Sequence, residues 1–141
     1  TKFVLGSVIV AELWRGIPFF AISLLAAMQG LPDDIYEAAR VDGSTKFQTF
    51  RFITLPMLKN TIVLTTLLRT IWEFNSVDLI YSLTGGGPVG KTTTLSMLIA
   101  NQAIKTSNYG YGSALSVVSF AILAVIAVIY MKLSGFGKEE A

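Results

Sequence analysis

Three apolar runs, at 3–28, 58–81 and 113–131, limit what this chain can fold into. A helix rises about 1.5 Å per residue, so roughly 20 apolar residues cross the hydrocarbon core of a bilayer. Lipid offers the backbone no hydrogen-bond partners, so an isolated spanning segment must be helical. The expected fold is therefore all-α and integral to a membrane, a bundle of transmembrane helices. Only 14% of residues are charged, against about 25% in soluble domains. The net charge of +2 is too weak for a nucleic-acid footprint, so no nucleic-acid partner is expected. Cysteine and histidine are absent, which excludes disulfides, thiol catalysis and histidine-based metal sites. The chain enters its first run directly after Thr1 and Lys2, without the basic segment and cleavage site of a signal peptide. It is expected to begin inside a longer protein.

Charge interrupts the first two runs. In the first, Glu12 and Arg15 stand three residues apart, on one helical face where they can pair. Pro18 withholds a donor from the carbonyl of Trp14, so a kink is expected there. In the second, Arg69, Trp72, Glu73 and Ser76 follow helical spacing and form one polar, aromatic stripe. Charges facing lipid cost several kcal/mol, roughly 3 or more at the centre, so both faces should meet other helices or a water-filled cavity. Two readings stay open for each. The charges are structural ion pairs, or they line a translocation path. Trp72 packs or anchors, or its face stacks on a sugar ring while its charged neighbours bind hydroxyls.

The longest stretch that is neither apolar nor glycine-rich lies at 37–56, between these runs. Asp34-Ile-Tyr-Glu37 has the form of a helix start, with Pro32 just ahead. The helix should run to about Val41 and stop at Gly43. Its apolar side is Ile35, Ala38 and Ala39, and the two alanines would let another backbone come close. Ser44 can cap a second short helix through Phe52, with Pro56 stopping it or opening the next run. The stretch reads as helix, glycine corner, helix, too short to cross anything.

Positions 85–92 match the phosphate-binding pattern G-x-x-x-x-G-K-[ST] letter for letter, ending in Lys91 and Thr92. The pattern binds nucleotide only between a strand and a helix of a parallel sheet. Its neighbours here are apolar runs with helical stripes, and Asp78 is misplaced for a magnesium ligand. The plainer expectation is a glycine-rich loop outside the membrane, then a short helix at 94–104 and a turn cluster at 108–112. The third run carries no charge and many small residues, which suits close helix packing in lipid. Orientation follows from the bases. Arg40, Lys46, Arg51, Lys59, Lys132 and Lys138 would share one side, against Lys2, Lys91 and Lys105 on the other. The 30–59 loop is therefore expected to be cytoplasmic and the 82–112 loop external.

The spacing Glu37-Ala38-Ala39, Gly43, Ile53, Leu55-Pro56 resembles the cytoplasmic EAA loop of binding-protein-dependent ABC importer permeases. Trp14 and Pro18, Leu31-Pro32, Asp42-Gly43, Leu83-Thr84 with Gly86-Gly87-Pro88, and the Tyr-Gly-Tyr-Gly-Ser-Ala stretch at 109–114 resemble the carbohydrate-uptake branch. More narrowly, they resemble its maltose-permease (large subunit) and glycerol-phosphate-permease type. The resemblance implies a multi-pass protein of a bacterial or archaeal cytoplasmic membrane, here the C-terminal part of a permease. It implies that sugar is passed inward from an extracytoplasmic sugar-binding protein. Further implied partners are cytoplasmic ATPase subunits, a second permease subunit and membrane lipid. ATP and magnesium would belong to the ATPase, with no cofactor and no catalysis in this chain. The two-helix loop would seat in the ATPase through Glu37, Ala38, Ala39, Asp42, Gly43, Ile53, Leu55 and Pro56. Sugar contacts would fall at Arg15, Gly16 and Phe19, and at Arg69, Trp72, Glu73 and Ser76. The charged character leaves both an acidic or phosphorylated sugar and a neutral one open. The rival reading is a fragment of a secondary transporter or channel that needs no ATPase.

Overall fold

A computed structural model describes residues 3–135 of the chain. Lys2 and Lys138, which entered the orientation argument, lie outside the described residues. The described residues form helices and connecting turns, with no strand among them. In order these are α1 (Val4–Gln29), α2 (Asp33–Val41), α3 (Lys46–Thr49), α4 (Leu55–Met57), α5 (Lys59–Asn75), α6 (Asp78–Thr84), α7 (Leu95–Ala100) and α8 (Tyr109–Ser134). Two π-helical turns, Phe50–Thr54 and Asn101–Lys105, continue α3 and α7.

α1 and α8 are both long and apolar enough to cross a membrane. α1 packs on one side of α5 and α8 packs on α5 and α7. Little of either long helix is covered. Only Val8 and Gly16 are buried on α1, and Gly112 and Ser119 on α8. Their exposed rows of Leu, Ile, Val and Phe present far more apolar surface than a helix in water tolerates. Lipid and further helices are the surroundings such faces require.

The middle run differs from the sequence expectation. It is not one helix over 58–81 but two, α5 and α6, broken at Ser76, whose ψ of 130° is extended. The stripe therefore ends at the break, with Ser76 capping α5 rather than continuing it. α1, by contrast, runs as one helix through Pro18.

The polar island folds as helix, corner, helix. Gly43 takes φ +77°, the left-handed conformation that costs a residue with a Cβ about 1–2 kcal/mol. That turn lets the Gly43 and Ser44 amides donate to the carbonyls of Arg40 and Ala39, each at 3.0 Å. Two expected caps are different. α2 starts at Asp33 after an extended Pro32, with no side-chain cap, and Asp33 and Asp34 instead occupy the first turn, where the helix dipole favours acids. Thr45, not Ser44, caps α3, in a reciprocal capping box with Gln48. Ser44 is diverted because its hydroxyl donates to the Ala39 carbonyl at 2.7 Å and pairs with Thr49 at 2.9 Å. Tyr36 and Thr54 close the hairpin further out, at 3.2 Å. The π turn precedes Pro56, which has no N–H to continue an α ladder. The 108–112 cluster is not a loop. Asn108 caps α8 by accepting from the Tyr111 amide at 3.3 Å, and Gly112 lets α8 lie against Ile99 and Ala103.

The loop after α6 is tied into a knot around Gly86. This residue has φ +87°, and an added Cβ would lie 2.8 Å from Thr93 Oγ1 and 3.1 Å from Met97 Cε. Met97 is wholly buried. A Gly86→Ala chain should lose about 2 kcal/mol of stability, since strain and overpacking add. Gly6→Ala, which meets nothing within 4 Å, should leave thermal unfolding in detergent unchanged or slightly raised. Equal melting of the two variants would show that the knot is not packed as described.

Candidate functional site

Four charges meet where α1 crosses α5. Arg15 holds Glu12 at 3.1 Å, as their spacing predicts. The same guanidinium reaches across to Glu73 at 3.4 Å. Arg69 pairs with Glu73 one turn along α5 and approaches Glu12 on α1 at 3.8 Å. The cluster is electroneutral, two guanidiniums against two carboxylates, and none of its members is fully exposed. Closure is steric as well as electrostatic. Gly16 is buried directly beneath Arg69, whose Nε and Nη2 would stand 3.3 Å from a Cβ there. A side chain at position 16 would displace the Arg69 guanidinium and disturb its pairs with Glu73 and Glu12.

The cluster opens on one side into a cleft of about 410 Å³ lined by Arg15, Arg69, Ile71, Trp72, Asn75, Ser76 and Asp78. Arg15 Nη2 donates to Ser76 Oγ at 2.9 Å. Ser76 can present its hydroxyl this way because the chain leaves the helix there. Trp72 stays half exposed, at 52%, with its edge against Phe19, ring centroids 5.1 Å apart. The cleft thus offers an aromatic face, a guanidinium, a hydroxyl and amide and carboxylate groups within one small space. That combination suits a ligand with an apolar face and several hydroxyls. It holds no nucleophile paired with a base, and among the described residues no cluster of acids could hold a metal ion.

All seven residues proposed from sequence for the sugar, Arg15, Gly16, Phe19, Arg69, Trp72, Glu73 and Ser76, lie at this crossing. They play different parts. Trp72, Ser76 and Arg15 face the cleft, Arg69 and Glu73 are largely occupied with each other, and Gly16 and Phe19 shape the contact behind them. Sequence reasoning placed Glu12 beside Arg15 but not in the site. It overlooked Asn75 and Asp78, for which a continuous helix gave no reason to face inward.

The loop residues divide similarly. Glu37, Ala38, Asp42, Gly43 and Pro56 are exposed on the hairpin, Ile53 and Leu55 are partly covered, and Ala39 is buried. The two alanines therefore do not share one docking face. Ala39 packs inside the hairpin and Ala38 points out. Around them Val41, Phe47 and Phe52 stand exposed, a hydrophobic surface on a hairpin otherwise rich in charge.

The 85–92 segment does not have the geometry of a nucleotide loop. A helix, α6, precedes it instead of a strand. The Thr92 hydroxyl, where magnesium would have to bind, is buried and donates to the Gly87 carbonyl at 2.9 Å while pairing with Thr84 at 2.7 Å. The pattern arises from glycines and threonines that knot the loop.

Residues 1–135 match the family model described as the inner membrane component of binding-protein-dependent transport systems. The chain is 40% identical over 133 residues to the trehalose/maltose transport system permease protein MalF of Thermococcus litoralis, covering 94% of this chain and 45% of that protein. It is 40% identical to the sulfoquinovosyl glycerol transport system permease protein SmoG of Agrobacterium fabrum, covering 91% and 42%. It is 42% identical to the trehalose transport system permease protein SugA of Mycobacterium tuberculosis, covering 93% and 42%. The chain spans less than half the length of these relatives.

Removing one member of the cluster strands its partners. Arg69→Leu, which leaves two carboxylates, Glu12 and Glu73, sharing Arg15 alone, should cost about 3 kcal/mol in thermal unfolding of the full-length protein in detergent. The double change Arg69→Leu with Glu73→Leu should cost less than the sum of the single changes. Strict additivity would show that the pair is not coupled.

Proposed function

The chain belongs to the family of inner-membrane components of binding-protein-dependent transport systems, and on that premise we propose that it carries the sugar cleft and the coupling loop of an ATP-driven importer's permease. The observation that carries the reading is the crossing of α1 and α5. There a half-exposed Trp72 and the Arg15–Ser76 hydrogen bond face one cleft. Relatives named for trehalose, maltose and sulfoquinovosyl glycerol transport support a saccharide as cargo. Among these, the electroneutral cluster favours a neutral sugar. Each guanidinium already has a carboxylate, and Asp78 adds a further negative charge to the cleft wall. An anionic sugar would meet no unbalanced positive charge, whereas a hydroxyl both donates and accepts and can bridge Arg15 to Glu73 or replace Ser76 on the guanidinium.

In this reading the sugar ring stacks on Trp72 and its hydroxyls exchange with the Arg15–Ser76 bond, a low-affinity hold that leaves release easy. The cargo is not chemically altered. The extracytoplasmic binding protein delivers the sugar to the side of the 82–112 loop, and a second permease subunit completes the cavity. The α2–Gly43–α3 hairpin lies on the cytoplasmic side and seats in the ATPase subunit. Its exposed Val41, Phe47 and Phe52 supply apolar contact and Glu37 and Asp42 supply charge. ATP and magnesium stay in that subunit, and this chain needs no cofactor. Closure of the ATPase pair moves the hairpin as a rigid body and rocks the long helices between two arrangements.

The test is uptake by the complete transporter in proteoliposomes. Trp72→Ala should raise the KM for a neutral disaccharide about tenfold, the weight of one lost stacking contact. A sugar phosphate should not compete with the disaccharide. Gly43→Asp should lower uptake per inserted complex, because a side chain strains the left-handed corner. Stronger competition by the sugar phosphate would reject the neutral cargo, and an unchanged KM in Trp72→Ala would reject the cleft.

A further inference from the structure

The break in the middle run has a structural cause that lies outside the run itself. In an unbroken helix the Phe74 carbonyl would accept from the amide of Asp78, four residues on. The extended Ser76 interrupts that ladder. A carbonyl left bare in an apolar setting costs about as much as the hydrogen bond it lacks, roughly 1–3 kcal/mol. Here it is not bare, because Ser96 on α7 donates its hydroxyl to the Phe74 carbonyl. Ser96 is buried, so the bond is shielded from competing water.

α7 is in turn fixed by the loop knot. Thr94 caps α7 by accepting from the Met97 amide at 3.4 Å, and Met97 packs on Gly86 inside the knot. On the other side of the break, Ser76 accepts from Arg15, and Arg15 holds Glu12 and Glu73. Ser96 thus joins a rigid loop to the one place where the cleft's geometry is decided.

We propose that Ser96 is a positioning residue for the cleft: by satisfying the Phe74 carbonyl it holds the chain open at Ser76, and so keeps the Ser76 hydroxyl on Arg15 and out of a continuous helix. The inference rests on the sugar-cleft reading for its consequence in transport, but not for the structural step. Without the Ser96 hydroxyl, the cheapest partner for the Phe74 carbonyl is the helical ladder, which would draw Ser76 away from Arg15. Threonine keeps a hydroxyl on the same carbon and should preserve the bond.

Two measurements on the complete transporter test this. The first is hydrogen exchange of the backbone amides at 75–79 in detergent, which does not depend on cargo. Ser96→Ala should change exchange there by about fivefold or more, and Ser96→Thr should restore it. Unchanged exchange in Ser96→Ala overturns the proposal, whatever the transported compound is. The second is uptake of labelled maltose in proteoliposomes, normalised to the amount of assembled complex. Ser96→Ala should raise KM about tenfold with kcat changed far less, and Ser96→Thr should return KM to within about twofold. Altered exchange with an unchanged KM overturns the positioning role. A KM that Ser96→Thr fails to rescue does the same, since it would mark a packing defect. If the unsubstituted transporter carries neither maltose nor other neutral sugars, the neutral-sugar reading fails, while the exchange result still decides whether Ser96 holds the break.

Discussion

A charge in a low-dielectric layer must find an opposite charge, and that need organises this chain. Glu12 and Arg15 on α1 would be costly on an isolated helix, and so would Arg69 and Glu73 on α5. Each helix pairs its own two charges, and Arg15–Glu73 and Arg69–Glu12 join the two pairs across the interface. The buried Gly16 makes the approach close enough for the pairs to form. Without this contact α1 would have little to specify its neighbour, since its remaining surface is mostly apolar and side chains such as Leu and Ile pack equally well on lipid. The ion cluster therefore supplies specificity more than raw stability, in line with what buried pairs contribute elsewhere.

Where the cluster supplies fixed charge, the break after Asn75 supplies access. Backbone that leaves the helical ladder in apolar surroundings is tolerated only where something else satisfies it or where it lines a cavity. Both conditions hold at Ser76. Ser96 satisfies the neighbouring carbonyl, and Ser76 itself faces the cleft with Arg15. The knot around Gly86 makes Ser96 dependable as a donor, because Met97 and Thr92 are buried against the same few loop residues. The same residues explain why the loop imitates a nucleotide-binding sequence. Tight turns want glycine, and self-contained loops want threonine hydroxyls to bond their own carbonyls. Those preferences coincide with the letters of the phosphate-binding pattern without its strand.

Much of this could be read from the sequence where a residue's role is local. The apolar lengths of α1 and α8, the left-handed Gly43 and the i, i+3 pair Glu12–Arg15 follow from spacing alone. So does the placing of Arg69, Trp72 and Glu73 on one face of α5. What could not be read depended on a partner distant in sequence. The break at Ser76 is set by Ser96, twenty residues on, and nothing in the run itself, which contains neither glycine nor proline between Asn75 and Thr84, signals it. Thr45 displaced Ser44 as a cap because Ser44 already had the Ala39 carbonyl, a competition that spacing rules do not weigh. Ala39 is buried and Ala38 exposed, so the alanine pair is not one face, which depends on how the second half of the hairpin folds back.

In the function proposed above, the crossing is the sugar-binding end and the hairpin the mechanical end of one permease segment. α5 joins them, carrying the cleft at its far end and, through α4 and the π turn, the α2–α3 hairpin at its start. The most direct measurement is a structure of the complete transporter trapped with a neutral sugar bound. The expected result is a sugar ring against Trp72, within about 4 Å, with its hydroxyls on Arg15 and Ser76 and the Arg69–Glu73 pair intact. A sugar bound away from the crossing of α1 and α5, with the Arg15–Ser76 bond undisturbed, would contradict it.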